Sequence, residues 1–271
     1  MKYLPILITT LLMLGALWVS YRIFAHKPVI YVYQDAGVDE KALAHTLDTL
    51  KATVGTDYQI TTLSAASLLQ DNWIKNAKLL VMPGGADLPY VQKLQGKGNQ
   101  RIRDFVASGG AYLGICAGAY YGAAVVEFDK GGKLEVVGPR ELSFFSGKAI
   151  GPILAPYDYH TNSGARAAQI TTTLPGLSSV TVYYNGGGYF EHALQDPHAR
   201  ILAIYPNQLA AIIHVTYGKG NVILSGVHFE TEAEHLEATD QYLAPLVPLL
   251  QQDHKNRRQL QLAILRLLGV S

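Results

Sequence analysis

Ala111-Tyr112-Leu113-Gly114-Ile115-Cys116-Ala117-Gly118-Ala119-Tyr120-Tyr121 is the stretch on which the fold of this chain turns. Ala111 to Ile115 is an apolar run of strand length, and Ala117 to Val126 reads as the helix that follows. Cys116 sits at the junction with a glycine two positions away on each side. A strand that turns sharply into a helix crowds its own backbone, and glycine removes the Cβ that would clash there. The helix start aims its unpaired N–H groups and positive dipole end at the sulfur, which favours thiolate. The same start supplies one oxyanion donor, the N–H of Ala117. The competing reading is a small thiol buried at a close helix–sheet contact.

Upstream of this elbow the chain alternates strand and helix. Val29 to Tyr33 is β-rich, and Asp39 caps a helix whose apolar stripe is Leu43, Leu47, Leu50 and Val54. Tyr58 to Leu63 and Lys78 to Met82 read as strands, the second stopped by Pro83-Gly84-Gly85. Ile102, Phe105 and Val106 mark another amphipathic helix. This alternation predicts a sheet of parallel strands covered on both faces. After Gly131 strands dominate: Ala167 to Thr172, Ser179 to Tyr184, Ile201 to Tyr205, and a hairpin from Ala210 to Ser225 through Tyr217-Gly218-Lys219-Gly220-Asn221. The chain ends in a helix with Leu260, Ile264, Leu265 and Leu268 on one face, read as docking on its own domain.

Composition bounds what the chain does. Hydrophobic residues make up 49% and charged residues 16%, so it folds, and a net charge of +1 gives no field for nucleic acid. A single cysteine excludes an intrachain disulfide and any multi-cysteine metal cluster, and no metal or cofactor is called for. Residues 1–26 stand apart. Tyr3 to Ser20 is uncharged and apolar, long enough for the about 17–25 residues that span a bilayer. We expect this segment to be a membrane anchor holding residues 27–271, one α/β domain, outside the cytoplasm. The alternative is a signal peptide removed on export. The oligomeric state is not legible.

A thiolate nucleophile needs a base, and the base needs an orienting group. Of nine histidines, His228 is placed best, because it directly follows a strand on the edge where a parallel sheet offers its active site. Glu230, two residues on, is positioned to hold the imidazole. His160, His192 and His214 are rivals; His214 lies inside a strand as a packed residue, and His160 lies in a Tyr-rich loop suited to lining a pocket.

Pro83-Gly84-Gly85, then Gly-x-Cys-x-Gly, then a late Gly-Lys-Gly hairpin feeding His-x-Glu resemble the class I glutamine amidotransferases. The resemblance implies Cys116 as nucleophile, His228 as base, Glu230 as orienter, and the N–H groups of Gly85 and Ala117 as oxyanion donors. More narrowly, Pro83-Gly84-Gly85-Ala86-Asp87-Leu88-Pro89-Tyr90, the elbow through Tyr121, and Tyr183-Tyr184-Asn185-Gly186-Gly187-Gly188 resemble the amidotransferase-like N-terminal domain of eukaryotic-type biotin–protein ligases, over roughly Pro28 to Leu250. That domain also occurs as stand-alone bacterial proteins. One departure is Phe229, where amidotransferases usually carry proline between His and Glu. The residues after Glu230 are too few to hold a ligase catalytic domain, so the resemblance carries the domain and not ligation.

The implied architecture is a flavodoxin-like three-layer α/β sandwich with a mixed central sheet. Asp87 and Tyr90, just after the Gly-Gly loop, are candidate substrate contacts, Asp87 toward an amine or as a capping residue of its turn. Asn185 and Gly186 are candidates on a flexible turn shaping the pocket rim, preferred over an anion-binding nest. The leading function is a cysteine hydrolase or amidotransferase-type enzyme acting on a small-molecule or peptide-like amide or γ-glutamyl-like bond. The alternatives are a non-catalytic ligand-binding or regulatory module on the same scaffold, and a redox-sensing thiol.

Overall fold

The structure, a computed structural model, describes residues 27–70 and 72–270; the apolar segment expected to be an anchor lies outside them. Among the described residues no helix is long and apolar enough to cross a membrane. The first half alternates as the patterning requires: β1 (Val29–Tyr33), α1 (Glu40–Val54), β2 (Gln59–Leu63), α2 (Ala65–Gln70), β3 (Ala77–Met82), α3 (Asp87–Leu94), α4 (Lys97–Ala107), β4 (Ala111–Ile115) and α5 (Ala117–Gly122). Strands follow: β5 (Ala123–Phe128), β6 (Val136–Pro139), β7 (Phe145–Gly151), β8 (Arg166–Thr172), β9 (Ser179–Tyr184), β10 (Tyr189–Glu191), β11 (Ala199–Ile204), β12 (Ala210–Tyr217) and β13 (Gly220–Ser225). The helices α6 (Val247–Gln252) and α7 (His254–Leu267) close the chain.

Nine strands form the central sheet in the order β2-β1-β3-β4-β13-β12-β11-β8-β9. From β2 to β13 the neighbours are parallel, and from β13 onward antiparallel, so the sheet is mixed. Both faces are covered. Leu43, Leu50 and Val54 of α1 and Leu260, Ile264 and Leu265 of α7 pack on Ile30, Val81, Leu113 and Ile115. On the other face Leu68, Leu94, Ile102 and Phe105 pack on Tyr33, Leu80 and Tyr112. Alternation along β4 sends Leu113 and Ile115 to one layer and Tyr112 to the other, while every residue of that strand is buried.

The terminal helix does dock on its own domain. Leu260 and Ile264 are fully buried, and burying each such side chain stabilises by about 1.5–3 kcal/mol. Arg257, also fully buried, donates from Nε to Glu232 Oε2 (3.0 Å) and from Nη1 to the Leu250 carbonyl (2.8 Å). This ties α7 to the segment just beyond β13.

The expected helix from Ala117 to Val126 ends at Gly122 instead. Ala123–Phe128 is β5, one of the two inner strands of a four-stranded second sheet in the order β10-β7-β5-β6. An apolar run of that length reads equally well as strand or helix, and here pairing with β7 and β6 decides. The helix α3, just after the Gly-Gly loop, is a further element the sequence reading did not contain.

Candidate active site

Cys116 leaves β4 with φ 50° and ψ −106°, a left-handed conformation that side chains other than glycine rarely adopt. The flanking glycines are there because nothing else fits. A Cβ on Gly118 would lie 2.0 Å from the Met82 carbonyl oxygen, and one on Gly114 would lie 2.3 Å from that of Gly118. The Cys116 N–H donates to the Ser225 carbonyl (2.8 Å), fastening the elbow to the end of β13. The thiol is largely buried, with Sγ 3.7 Å from the Asn185 carbonyl oxygen as a weak donor.

His228 reaches the same place from the neighbouring strand. Parallel pairing aligns Ser225 with Ile115, so the residues that follow β13 and β4 emerge side by side at the strand C-termini. The His228 N–H donates to the Tyr183 carbonyl (2.8 Å), and its ring meets the Tyr183 ring edge-on at 5.7 Å. A Cβ placed on Gly84 would lie 2.8 Å from His228 Cε1 and 3.7 Å from Cys116 Cβ, so both side chains pack on this glycine. Glu230 Oε1 sits 2.7 Å from His228 Nδ1, which leaves Nε2 as the ring nitrogen for the thiol. Burial opposes charge on the imidazole, yet the Glu230 carboxylate, reinforced by contact with Cys116, raises the His228 pKa well above its ordinary value.

The segment carrying Phe229 in the place of proline is well anchored. The Phe229 ring is in the core, its carbonyl accepts from Gln261 Nε2 (2.9 Å), and the Glu230 carbonyl accepts from Thr49 Oγ1 (2.7 Å). Thr49 and Gln261 lie on α1 and α7, far away in sequence. Glu230 is 2% exposed, and its Oε2 has no hydrogen-bond partner.

Gly85 has φ +140°, and a Cβ there would lie 2.0 Å from the Gly37 carbonyl oxygen. It pairs with Val38 in an isolated bridge, so the Gly-Gly loop is pinned against the turn before α1. Ala117, as the first residue of α5, has no acceptor for its N–H within its own helix. Both Gly85 and Ala117 line the cavity beside Cys116.

That cavity has a volume of about 360 Å³. Asp87, Asn185, Gly186 and His160 line it with Cys116 and His228; Tyr90 does not. The Tyr90 ring is fully buried under the loop, its hydroxyl donating to the Pro83 carbonyl (3.2 Å). Asp87 reaches the cavity wall, but its Oδ2 accepts from Arg140 Nε at 2.7 Å in a buried ion pair. The glycines after Asn185 serve close packing: a Cβ on Gly187 would lie 1.7 Å from the Gly226 carbonyl oxygen. Asn185 and Gly186 themselves lie in the bend between β9 and β10 and line the cavity. His214 is half-buried within β12 and bonds Asn221 (2.9 Å), while His192 is exposed and away from the cavity.

Several lining residues were missed by the sequence reading. Tyr120, Phe128, Tyr157 and Tyr159 form an aromatic wall, and the Tyr-rich loop around His160 was the one signal of it. At the mouth, His45 stacks on His235, with ring centroids 4.3 Å apart. Burial, helped by the neighbouring His235, lowers the His45 pKa to about 4.

Comparison with known proteins follows the same lines. The family model described as biotin-protein ligase, N terminal matches residues 29–271. A biotin–protein ligase of Schizosaccharomyces pombe is 37% identical over 250 residues, covering 89% of this chain and 38% of that protein. The chain thus spans well under half the length of that relative. An uncharacterized protein of Chlamydia muridarum is 41% identical over 208 residues, covering 74% of this chain and 80% of that one. Among solved structures, PurLQS from Thermotoga maritima superposes with a TM-score of 0.54 at 12% identity, covering 88% of this chain and 98% of that one. A glutamine amidotransferase superposes at 0.52 and 17% identity, covering 80% and 98%. The α/β architecture is that of the class I glutamine amidotransferase fold.

Proposed function

The chain belongs to the biotin-protein ligase N-terminal family, and from that membership and the site geometry we propose that it is a cysteine-dependent amide hydrolase with Cys116, His228 and Glu230 as its catalytic triad. One observation carries the reading: a strained elbow thiol and a carboxylate-held imidazole pack on the same glycine at the floor of a cavity. Cys116 Sγ attacks the amide carbonyl carbon while His228 takes the thiol proton. The oxyanion lies against the N–H groups of Gly85 and Ala117. His228 gives its proton to the leaving nitrogen, the C–N bond breaks, and a thioester remains on Cys116. Water then attacks the thioester with His228 as base; the C–S bond breaks, the acid leaves and the thiol is restored. Glu230 fixes the ring and stabilises the imidazolium.

The same proposal has the domain working outside the cytoplasm, tethered by the apolar run Tyr3 to Ser20. The test of function is a panel of small primary and secondary amides given to wild type and to Cys116→Ala. Turnover in wild type that vanishes in the variant supports the hydrolase. Equal activity in both overturns it and leaves the ligand-binding module.

A further inference from the structure

The cavity over Cys116 is lined by more aromatic surface and more negative charge than a simple carboxamide needs. Its wall is a continuous run of four rings. Tyr120 meets Phe128 at 5.7 Å and 90°, Phe128 meets Tyr157 at 5.9 Å and 74°, and Tyr157 meets Tyr159 at 4.9 Å and 87°. An edge-to-face run alternates ring faces with edges, and a ring face attracts a cation within about 6 Å of its centroid. Tyr159, the outermost, is 52% exposed, so the run leads from the buried nucleophile out to the mouth.

Charge points the same way. Four carboxylates line the cavity, Asp39, Asp87, Asp158 and Glu237, against the ammonium of Lys41 and the imidazole of His228, whose charge Glu230 meets from behind. Arg140 takes Asp87, and Lys41 takes Glu237 at 2.5 Å. Asp39 and Asp158 accept from the backbone N–H groups of Ala42 (2.8 Å) and His160 (2.7 Å), and among the described residues neither has a cationic partner within 4.0 Å. Among the described residues no arginine lines the cavity to receive a substrate carboxylate.

Building on the hydrolase reading, we propose that the substrate is an amide carrying a second, cationic nitrogen and no carboxylate, of the N-acyl-diamine class, whose ammonium rests on the Tyr157 and Tyr159 rings and the Asp158 and Asp39 carboxylates. The scissile carbonyl then lies at Cys116, deeper along the same wall. A free α-amino acid such as glutamine is disfavoured, because its carboxylate would meet Asp39 and Asp158 while the lining cations Lys41 and His228 are already paired with Glu237 and Glu230.

Recognition is measured apart from turnover. In Cys116→Ala, isothermal titration compares N-acetylcadaverine, its neutral isostere N-hexylacetamide, and glutamine. In wild type, the same three probes compete with iodoacetamide for the single cysteine. We expect the cation to bind at least tenfold more tightly than the isostere and than glutamine, and to protect Cys116 accordingly. Tyr157→Leu is expected to cut that preference several-fold; Asp158→Asn, which keeps the ring wall intact, gives the same readout with little demand on folding. A preference for the cation in Cys116→Ala sustains the assignment whether or not turnover is found. Equal binding of the isostere, or tighter binding of glutamine, overturns it even if wild type proves to be an amidase.

Discussion

Gly84→Ala puts the proposed arrangement under a single, calculable strain. Gly84 lies outside the left-handed region, so alanine costs nothing there in backbone conformation. Its Cβ, however, would stand 2.8 Å from His228 Cε1, where nonbonded carbons prefer about 3.5–4.0 Å. The imidazole must therefore retreat by roughly 0.7 Å or more, since Ala42 Cβ already stands 3.4 Å away on another side. His228 has little freedom to do so, held by Glu230 and by the Tyr183 carbonyl. Misplacing a catalytic group by about 1 Å costs on the order of 100-fold in rate, and overpacking costs about 1–3 kcal/mol in stability. We expect kcat/KM on the amide found in the panel to fall about 30- to 100-fold. The rate of Cys116 alkylation at neutral pH should fall with it. Thermal unfolding run in parallel separates a displaced imidazole from an unfolded protein. A folded Gly84→Ala with wild-type turnover and alkylation would refute the reasoning, because thiol and imidazole would then not depend on each other across this glycine.

Within the triad, Cys116→Ala should abolish turnover and His228→Ala should come close, while Glu230→Gln should be milder, on the order of 10,000-fold against about a million-fold, since an amide oxygen still accepts from Nδ1–H; a Glu230→Gln defect as deep as Cys116→Ala contradicts this ranking. Stability should respond to pH through two histidines in opposite senses. The raised pKa of His228 gives stability that is fully present below the unfolded value of about 6.5 and is lost as pH rises through the folded value, so wild type should lose more unfolding free energy above pH 7 than His228→Gln. His45, lowered to about 4, contributes stability present above its unfolded value and lost as pH falls through about 4; being partly exposed, it is worth on the order of 1 kcal/mol, and His45→Gln should flatten that acid limb in urea titrations. Finally, the full-length chain should resist extraction from membranes by carbonate; recovery in the soluble cytoplasm would sink the anchor.

What could be read from sequence was what local sterics impose. The glycines two residues either side of Cys116 answer clashes with Met82 and with the elbow itself, so their spacing alone announces the turn. His228 and Glu230 are two residues apart, and the strand before them was legible, so their pairing followed. Contacts between distant segments left no local mark. Arg140 lies 53 residues from Asp87, so nothing in the loop showed that this carboxylate would be neutralised from behind. Thr49 and Gln261, which anchor the Phe229 segment, sit on helices whose stripes announced only packing. Tyr90 follows the loop in sequence, which points to the pocket, but α3 turns its ring into the core. Ala123 to Val126 became a strand because β7 and β6 flank it, a fact of tertiary pairing.

The central claim is covalent catalysis at Cys116, and rapid-quench mass spectrometry of the Cys116 peptide tests it most directly. Wild type mixed with a turned-over amide and quenched in acid within a turnover should carry the acyl mass on Cys116. The adduct should be released by hydroxylamine, as a thioester is, and should be absent from His228→Ala over the same interval. Sustained turnover with no acyl mass on Cys116 at any quench time, and undiminished in Cys116→Ala, would contradict the account.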